Sequence, residues 1–236
     1  MRTPRAHLWE VVTPMAHEPR NPAARTGPDP SSGADAVRAA TIDACRLATA
    51  ADVPALVDLI WAAYRSPASY ERWTSEEHLV GGTRTDEALV LAAIEREGSA
   101  MLVVDGVDGP VGCCRILGYG GGLVSFGMFA VDPGKQGRGI GRRLLGCAQQ
   151  AAVELFGART MELEVLAQQE LLRGWYERLG FAPTGETRAF PSHPEYAVPR
   201  RDDLHLIVLS TPLPAAGSDG GARRQTRAFG WTPDSS

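Results

Sequence analysis

The densest chemical signal in the sequence is the stretch Val131-Asp-Pro-Gly-Lys-Gln-Gly-Arg-Gly-Ile-Gly-Arg-Arg143. It follows an apolar run and opens a run with helical periodicity. Glycines at 137, 139 and 141 let a backbone approach a ligand closely and take angles that other residues resist. The free N–H groups at a helix start point outward, and the helix dipole adds positive potential there. A pyrophosphate is the natural guest of such a turn, and Arg138, Arg142 and Arg143 add charge beside it. Two familiar phosphate motifs are excluded. A dinucleotide fingerprint requires glycine at position 142, which is arginine, and no Gly-Lys-Ser/Thr triplet occurs anywhere. The plainer alternative is a glycine-rich strand-to-helix turn with solvated arginines.

Other reactive side chains offer less. None of the four cysteines (Cys45, Cys113, Cys114, Cys147) shows CxxC spacing, so they are expected to be reduced, buried thiols and not a disulfide frame or a zinc site. His78, His193 and His205 are scattered without ligand spacing, and no HExxH or EF-hand pattern occurs, so no metal is expected. On the run Met161–Val165 strand alternation puts Glu162 and Glu164 on one face and Met161, Leu163 and Val165 on the other. Tyr176 lies in an apolar stripe with Leu171, Leu172, Trp175 and Leu179, where a tyrosine serves as core packing.

The elements that must position these residues alternate. A short strand over 44–48 is followed by Thr49-Ala-Ala-Asp52, a capping-box pattern, and then by Val53, Leu56, Val57, Ile60 and Tyr64 at helical spacing. A helix is predicted over 86–97, closed by Gly98. Strands over 100–104 and 111–117 flank a Gly/Asp-rich turn, and a further strand covers 123–131. Then come a long helix over 138–156, a strand over 159–166, a helix over 170–179 closed by Gly180, and late strands over 181–187 and 204–209. Strands in hairpin followed by strand–helix units predict an α/β (α+β) fold. It is a mixed, twisted, mostly antiparallel sheet with helices on both faces.

The chain of 236 residues is 44 % apolar and 22 % charged, as in ordinary globular proteins, with a formal charge of −4 that argues against a broad nucleic-acid binder. No run of 18 apolar residues occurs, so no membrane partner is expected, and the first twenty residues lack an apolar signal-like region. A cytoplasmic location follows as the expectation. Six of the 17 prolines fall in residues 1–40 and three more in 211–236. These ends (1–41 and 211–236) are expected to be flexible tails around one domain over 42–210.

With these elements in place, Gln136-Gly-Arg-Gly-Ile-Gly141 resembles the Q/R-x-x-G-x-G/A signature of the GNAT superfamily of N-acetyltransferases. Phe129-Ala-Val-Asp-Pro133 resembles the strand end before that signature, and Leu163-Glu-Val165 with Tyr176-Glu-Arg-Leu-Gly-Phe181 resembles the second family block, in register. The resemblance implies a sheet whose fourth and fifth strands splay apart around acetyl-CoA. By motif match, the backbone of Phe129, Ala130 and Val131 would bond the pantetheine arm. The backbone of Gln136, Gly137, Arg138, Gly139, Ile140 and Gly141 would hold the pyrophosphate, with Arg142 or Arg143 reaching the 3′-phosphate. Tyr176 matches the tyrosine that commonly protonates the leaving thiolate. Glu164 matches the glutamate that serves as base in ribosomal-protein alanine acetyltransferases, with Glu162 as the fallback. The chain departs from the family pattern at Gln169, where the second block often carries asparagine.

Acetyl transfer from a thioester requires a neutral amine, whose pKa begins near ~10, and a donor for the departing thiolate. The implied activity is direct attack by a primary amine, with a small-molecule acceptor preferred over a protein N-terminus or lysine. A non-catalytic acyl-CoA-binding module on the same fold is the alternative, and a homodimer is left open. The segments 63–73 and 190–196 are expected to wall the acceptor side, and Arg65, Arg72 and Arg84 suggest an acceptor with a carboxylate.

Overall fold

The computed structural model describes residues 45–66, 76 and 78–214. Residues 1–44, 67–75 with Arg72, 77 and 215–236 lie outside the described residues; of the tail expected over 211–236, residues 211–214 are described, and β9 runs on through Pro212. The elements run β1 (Arg46–Leu47), α1 (Val53–Arg65), β2 (Val80–Gly81), α2 (Glu87–Glu95), β3 (Ser99–Gly106), β4 (Gly109–Gly118) and β5 (Leu123–Val131). They continue with α3 (Ile140–Phe156), β6 (Thr160–Leu166), α4 (Glu170–Arg178), β7 (Ala182–Ala189), β8 (Val198–Pro199) and β9 (His205–Pro212). Seven strands form one sheet in the order β1-β3-β4-β5-β6-β9-β7. Every pairing in it is antiparallel except β5 with β6. The expected mixed sheet is therefore present.

Strand alternation divides the core. On one face Leu102, Val104, Cys114 and Ile116 pack against Leu144, Leu145, Ala148 and Ala152 of α3 and against Tyr176 of α4. On the other, Met101, Val103, Cys113 and Ala130 pack against Val53, Leu56, Ile60 and Ala63 of α1 and Val90 of α2. A third cluster, Leu79, Val80, Leu166, Leu204 and Leu206, lies beneath a ribbon formed by β2 and β8. The sequence did not predict that ribbon.

The helix starts are built locally. The Asp86 carboxylate accepts from the Leu89 N–H at 2.8 Å and caps α2. At α1 the Asp52 carboxylate accepts from the Thr49 N–H at 2.7 Å, one arm of the expected capping box. Asp52 also takes Arg46, which bridges to Asp105 on β3, so the network ties the edge strand to its neighbour.

The cysteine expectation needs correction. Cys45 and Cys147 form a disulfide between the start of the edge strand and α3, with Cα atoms 6.4 Å apart and 102 residues between them in sequence. Spacing rules miss it because the pair is made by tertiary packing alone. Cys113 and Cys114 are buried free thiols, and burial pushes Cys113 up to about 12.

The long loop that this bridge closes sets an expectation. Cys147→Ser should lower stability by about 2–4 kcal/mol in urea unfolding under oxidising conditions, and by far less in reductant. Equal loss in both would mean that the bridge contributes nothing.

Candidate functional site

Pairing between β5 and β6 covers only Leu123↔Thr160 through Phe126↔Leu163. Beyond that point β5 continues along β4 as far as Val131↔Gly112, and β6 continues along β9 as far as Leu166↔Leu206. The two strands therefore part at Phe126 and Leu163. A β-bulge marks the parting. Between the pairs Arg115↔Gly127 and Cys113↔Ala130, two β5 residues, Met128 and Phe129, oppose the single Cys114. Met128 takes φ +45°, a left-handed angle that is costly for a side chain with a Cβ. A bulge bends its strand and leaves a residue outside the ladder.

A cavity of about 160 Å³ opens at this fork. One half is walled by Phe126–Phe129, Leu163–Leu166, Gln169, Leu172 and Tyr176. The other is walled by α1, the segment 76–89 and the late segment 190–206. An aromatic cluster supports the first half. Phe129 stacks on Trp175 with centroids 5.8 Å apart, and Tyr176 meets Trp175 edge-on at 4.9 Å and Phe181 at 5.6 Å. These contacts fix α4 against the end of β5 and set Tyr176 in the cavity wall. Burial pushes the Tyr176 phenol well above its ordinary value, so it is a neutral O–H at physiological pH.

Glu164 also lines the cavity, one residue past the last β5–β6 pair. Its carboxylate is ion-paired with Arg188 of β7, whose guanidinium also reaches Glu186 at 2.8 Å. Arg188 thus orients Glu164 in the wall. Gln169 lines the same half, is 7 % exposed, and its side-chain nitrogen has no hydrogen-bond partner among the described residues. A buried donor of this kind is costly unless a ligand meets it.

The glycine-rich turn lies at the end of the parted β5. Asp132 accepts from the Gly134 N–H at 2.9 Å and starts a single 3₁₀ turn over Pro133–Lys135. Gln136 donates to the Val131 carbonyl at 3.3 Å. Gly137 and Gly139 both take left-handed φ, +80° and +81°, and a Cβ on either would meet nothing within 4 Å. The turn is strained for any other residue and open to solvent. Gly139 occupies the N-cap of α3 and supplies no side-chain cap, which leaves the first N–H groups of the helix for an anion. Gly141 serves packing, because a Cβ there would lie 3.1 Å from the Phe129 ring. Arg138, Arg142 and Arg143 are exposed around the turn.

The residues present fit acetyl-CoA in kind: an anion cradle without a side-chain cap at the start of α3, an unpaired edge on the parted β5, and a buried amide donor at Gln169, with Phe129 and Gln169 lining the cavity. Phe129, Ala130 and Val131 lie on the parted segment of β5, and the Phe129 carbonyl already accepts a 2.6 Å hydrogen bond from Tyr64. A carbonyl keeps a second lone pair for another donor.

On the other half, Arg84 lines the cavity as expected, but Arg65 does not. Arg65 is buried behind the wall, donates to the Gly82 carbonyl at 2.9 Å and pairs with Glu76 at 3.6 Å. The segment 190–196 contributes Phe190, Pro191, His193 and Tyr196. Sequence reasoning missed Glu76 and Arg115 as lining residues. The signal for Arg115 was present: it is one charge inside the apolar run 111–117 of β4. Burial brings that guanidinium down to about 10. No group of three or more His, Cys, Asp or Glu able to hold a metal occurs among the described residues. None of the described helices is long and apolar enough to cross a membrane.

With this geometry in hand, residues 97–183 match the model of the acetyltransferase (GNAT) domain. Over that stretch the chain is similar to GNAT acetyltransferase domains. The match spans β4, the fork, the glycine-rich turn, α3 and α4. Among solved structures, the ribosomal-protein-S18-alanine N-acetyltransferase from Escherichia coli is 19% identical with a TM-score of 0.54, over 75% of this chain and 97% of that chain. A GNAT-family acetyltransferase from Desulfovibrio desulfuricans is 18% identical with a TM-score of 0.52, over 72% of this chain and 98% of that chain. A spermidine N-acetyltransferase chimera of the Vibrio cholerae protein is 17% identical with a TM-score of 0.51, over 71% of this chain and 93% of that chain. At these identities the likeness is one of fold. No curated protein matches the chain.

The fork carries two buried phenols, and they set a pH dependence. Burial holds Tyr64 up to about 12, so its contribution to stability is present in full below the ordinary tyrosine value near ~10 and is lost as pH rises through 12. Tyr64→Phe should flatten that alkaline slope by about 2–3 kcal/mol in urea titrations at several pH values. An unchanged slope would assign it to other groups.

Proposed function

We propose that the protein is an acetyl-CoA-dependent N-acetyltransferase. It moves an acetyl group to the primary amine of a small molecule by direct attack in a ternary complex. The observation that carries this reading is the fork: β5 and β6 part at Phe126 and Leu163, and the same β5 leads into the glycine-rich start of α3. Acetyl-CoA, when bound, supplies the activated acyl group. The start of α3, from Gln136 to Gly141, would hold its diphosphate, with Arg142 at the rim. The open edge of β5 from Phe129 to Val131 and the Gln169 amide would hold the pantetheine arm.

The protein's own groups then divide the work. Tyr176, kept neutral by its apolar surroundings, holds the proton that a departing thiolate needs. Glu164, fixed by Arg188, is the carboxylate that takes the amine's proton, directly or through water. Backbone at the Met128 bulge faces the cavity where charge develops on the acyl oxygen. The cavity is bounded by strands, loops and residues of three helices, α1, α2 and α4, which suits a small molecule better than a protein segment. A cytoplasmic location remains part of the proposal.

Thiol release from acetyl-CoA in the presence of amines tests the reading. Binding of acetyl-CoA without amine-dependent release would instead support a non-catalytic binding module. Tyr176→Phe keeps the ring packing and should lower kcat by roughly 10–10⁴-fold with acetyl-CoA affinity nearly unchanged. Unaltered turnover would remove Tyr176 from the acid role. Gly139→Val forces a branched residue into a left-handed angle and should weaken acetyl-CoA binding in calorimetry. A folded variant with wild-type affinity would refute the cradle.

A further inference from the structure

Arg84 is held in an unusual way. Its backbone takes φ +72°, one of two left-handed non-glycine residues among those described. Such an angle costs an L-residue about 1–2 kcal/mol. It persists because two chain segments clasp one another there: the Thr83 and Arg84 N–H groups donate to the Glu195 and Tyr196 carbonyls at 2.9 and 3.2 Å, beside the β2–β8 ribbon. The clasp delivers the Arg84 guanidinium over the Tyr64 ring, 4.6 Å from its centroid, in the cavity wall. Strain retained at a cavity is a mark of function.

The charges around the cavity are distributed unevenly. Each lining carboxylate has an arginine of its own that does not line the space: Glu76 pairs with Arg65 and Glu164 with Arg188. Among the described residues the lining cations are Arg84 and Arg115. Arg84 has no carboxylate within ion-pair distance among the described residues. Its cationic form is favoured by the neighbouring Glu76 and Tyr64, against the cost of burial. A polyamine would face two cations and two already-neutralised carboxylates. An acceptor with its own carboxylate meets a guanidinium suited to it. The spacing agrees: the Tyr64 ring separates that guanidinium from the Phe129 carbonyl at the bulge, so the anchor and the fork are one aromatic ring apart.

We propose that Arg84 anchors a carboxylate on the acceptor, so that the acceptor class is a small amino-acid-like zwitterion. This rests on the acetyl-transfer reading and names the substrate class for the same site. The test uses matched probes: L-methionine, L-phenylalanine and L-lysine against the amines that remain when each loses its carboxylate, with spermidine alongside. In thiol-release kinetics at least one amino acid should show a KM tenfold or more below its decarboxylated partner. Arg84→Gly should raise that KM by ~10–100-fold and close the gap, with saturating kcat within a few-fold. Arg84→Lys should recover part of it. Glycine adopts the left-handed angle freely, so Arg84→Gly should melt close to the wild type, which separates lost anchoring from lost folding.

Decarboxylated amines or spermidine used as well as or better than the amino acids would overturn the proposal, as would a preference that survives Arg84→Gly. Calorimetry of the amino acids with CoA present reads the anchor independently of chemistry. Arg84-dependent binding without turnover would keep the anchor and sink the transferase reading. Turnover without carboxylate preference would do the reverse, and neither binding nor turnover of any amino acid probe would sink the anchor.

Discussion

The structure depends on a failure of pairing. Two parallel neighbours, β5 and β6, share four residue pairs and then follow different partners, β4 on one side and β9 on the other. A parallel pair is slightly weaker than an antiparallel one, so the sheet opens where both strands have stronger ties outward. The bulge at Met128 adds twist at that place. Backbone groups that a sheet would otherwise satisfy internally are turned towards a space that a ligand with amide groups can fill. The aromatic packing of Phe129, Trp175 and Tyr176 keeps the opening from collapsing and brings the phenol to it.

The electrostatic design follows the same division. The turn before α3 faces solvent and offers backbone N–H groups with arginines around them, suited to a large anion that arrives from outside. The cavity is more enclosed, and its two carboxylates among the described residues are held in fixed pairs: Glu164 with Arg188 and Glu76 with Arg65. Breaking a buried pair by removing one partner is costly, so these arginines hold their carboxylates in place. Position rather than net charge is what the interior supplies.

How far the sequence disclosed this varies by element. The strand 123–131 was legible to the residue, because a run of glycines precedes it and Asp-Pro ends it. The helix after it was expected from residue 138 and begins at Ile140, because two left-handed glycines keep the chain out of helical geometry until then. Tyr176 and Glu164 were found through motif and alternation together, and the cavity holds both. The β2–β8 ribbon was not legible, since two-residue strands distant in the chain carry no periodic signal. Arg65 and Arg84 looked alike in sequence, yet one supports the wall and the other faces inward. The difference lies in the clasp, which only tertiary structure shows. The Cys45–Cys147 bridge was hidden for the same reason.

The β2–β8 clasp has one further consequence. One half of the fork is made by a nearly continuous run of chain, from β5 through α4, whereas the opposing wall draws on two remote stretches joined by the backbone contacts of the clasp and by the Tyr196 hydroxyl, which donates to the Asp86 carboxylate. Amino-acid changes in either stretch can therefore accumulate without touching the glycine-rich turn before α3. Under the proposed acetyl transfer, a lineage built on this scaffold is free to wander in what it modifies while keeping its reagent.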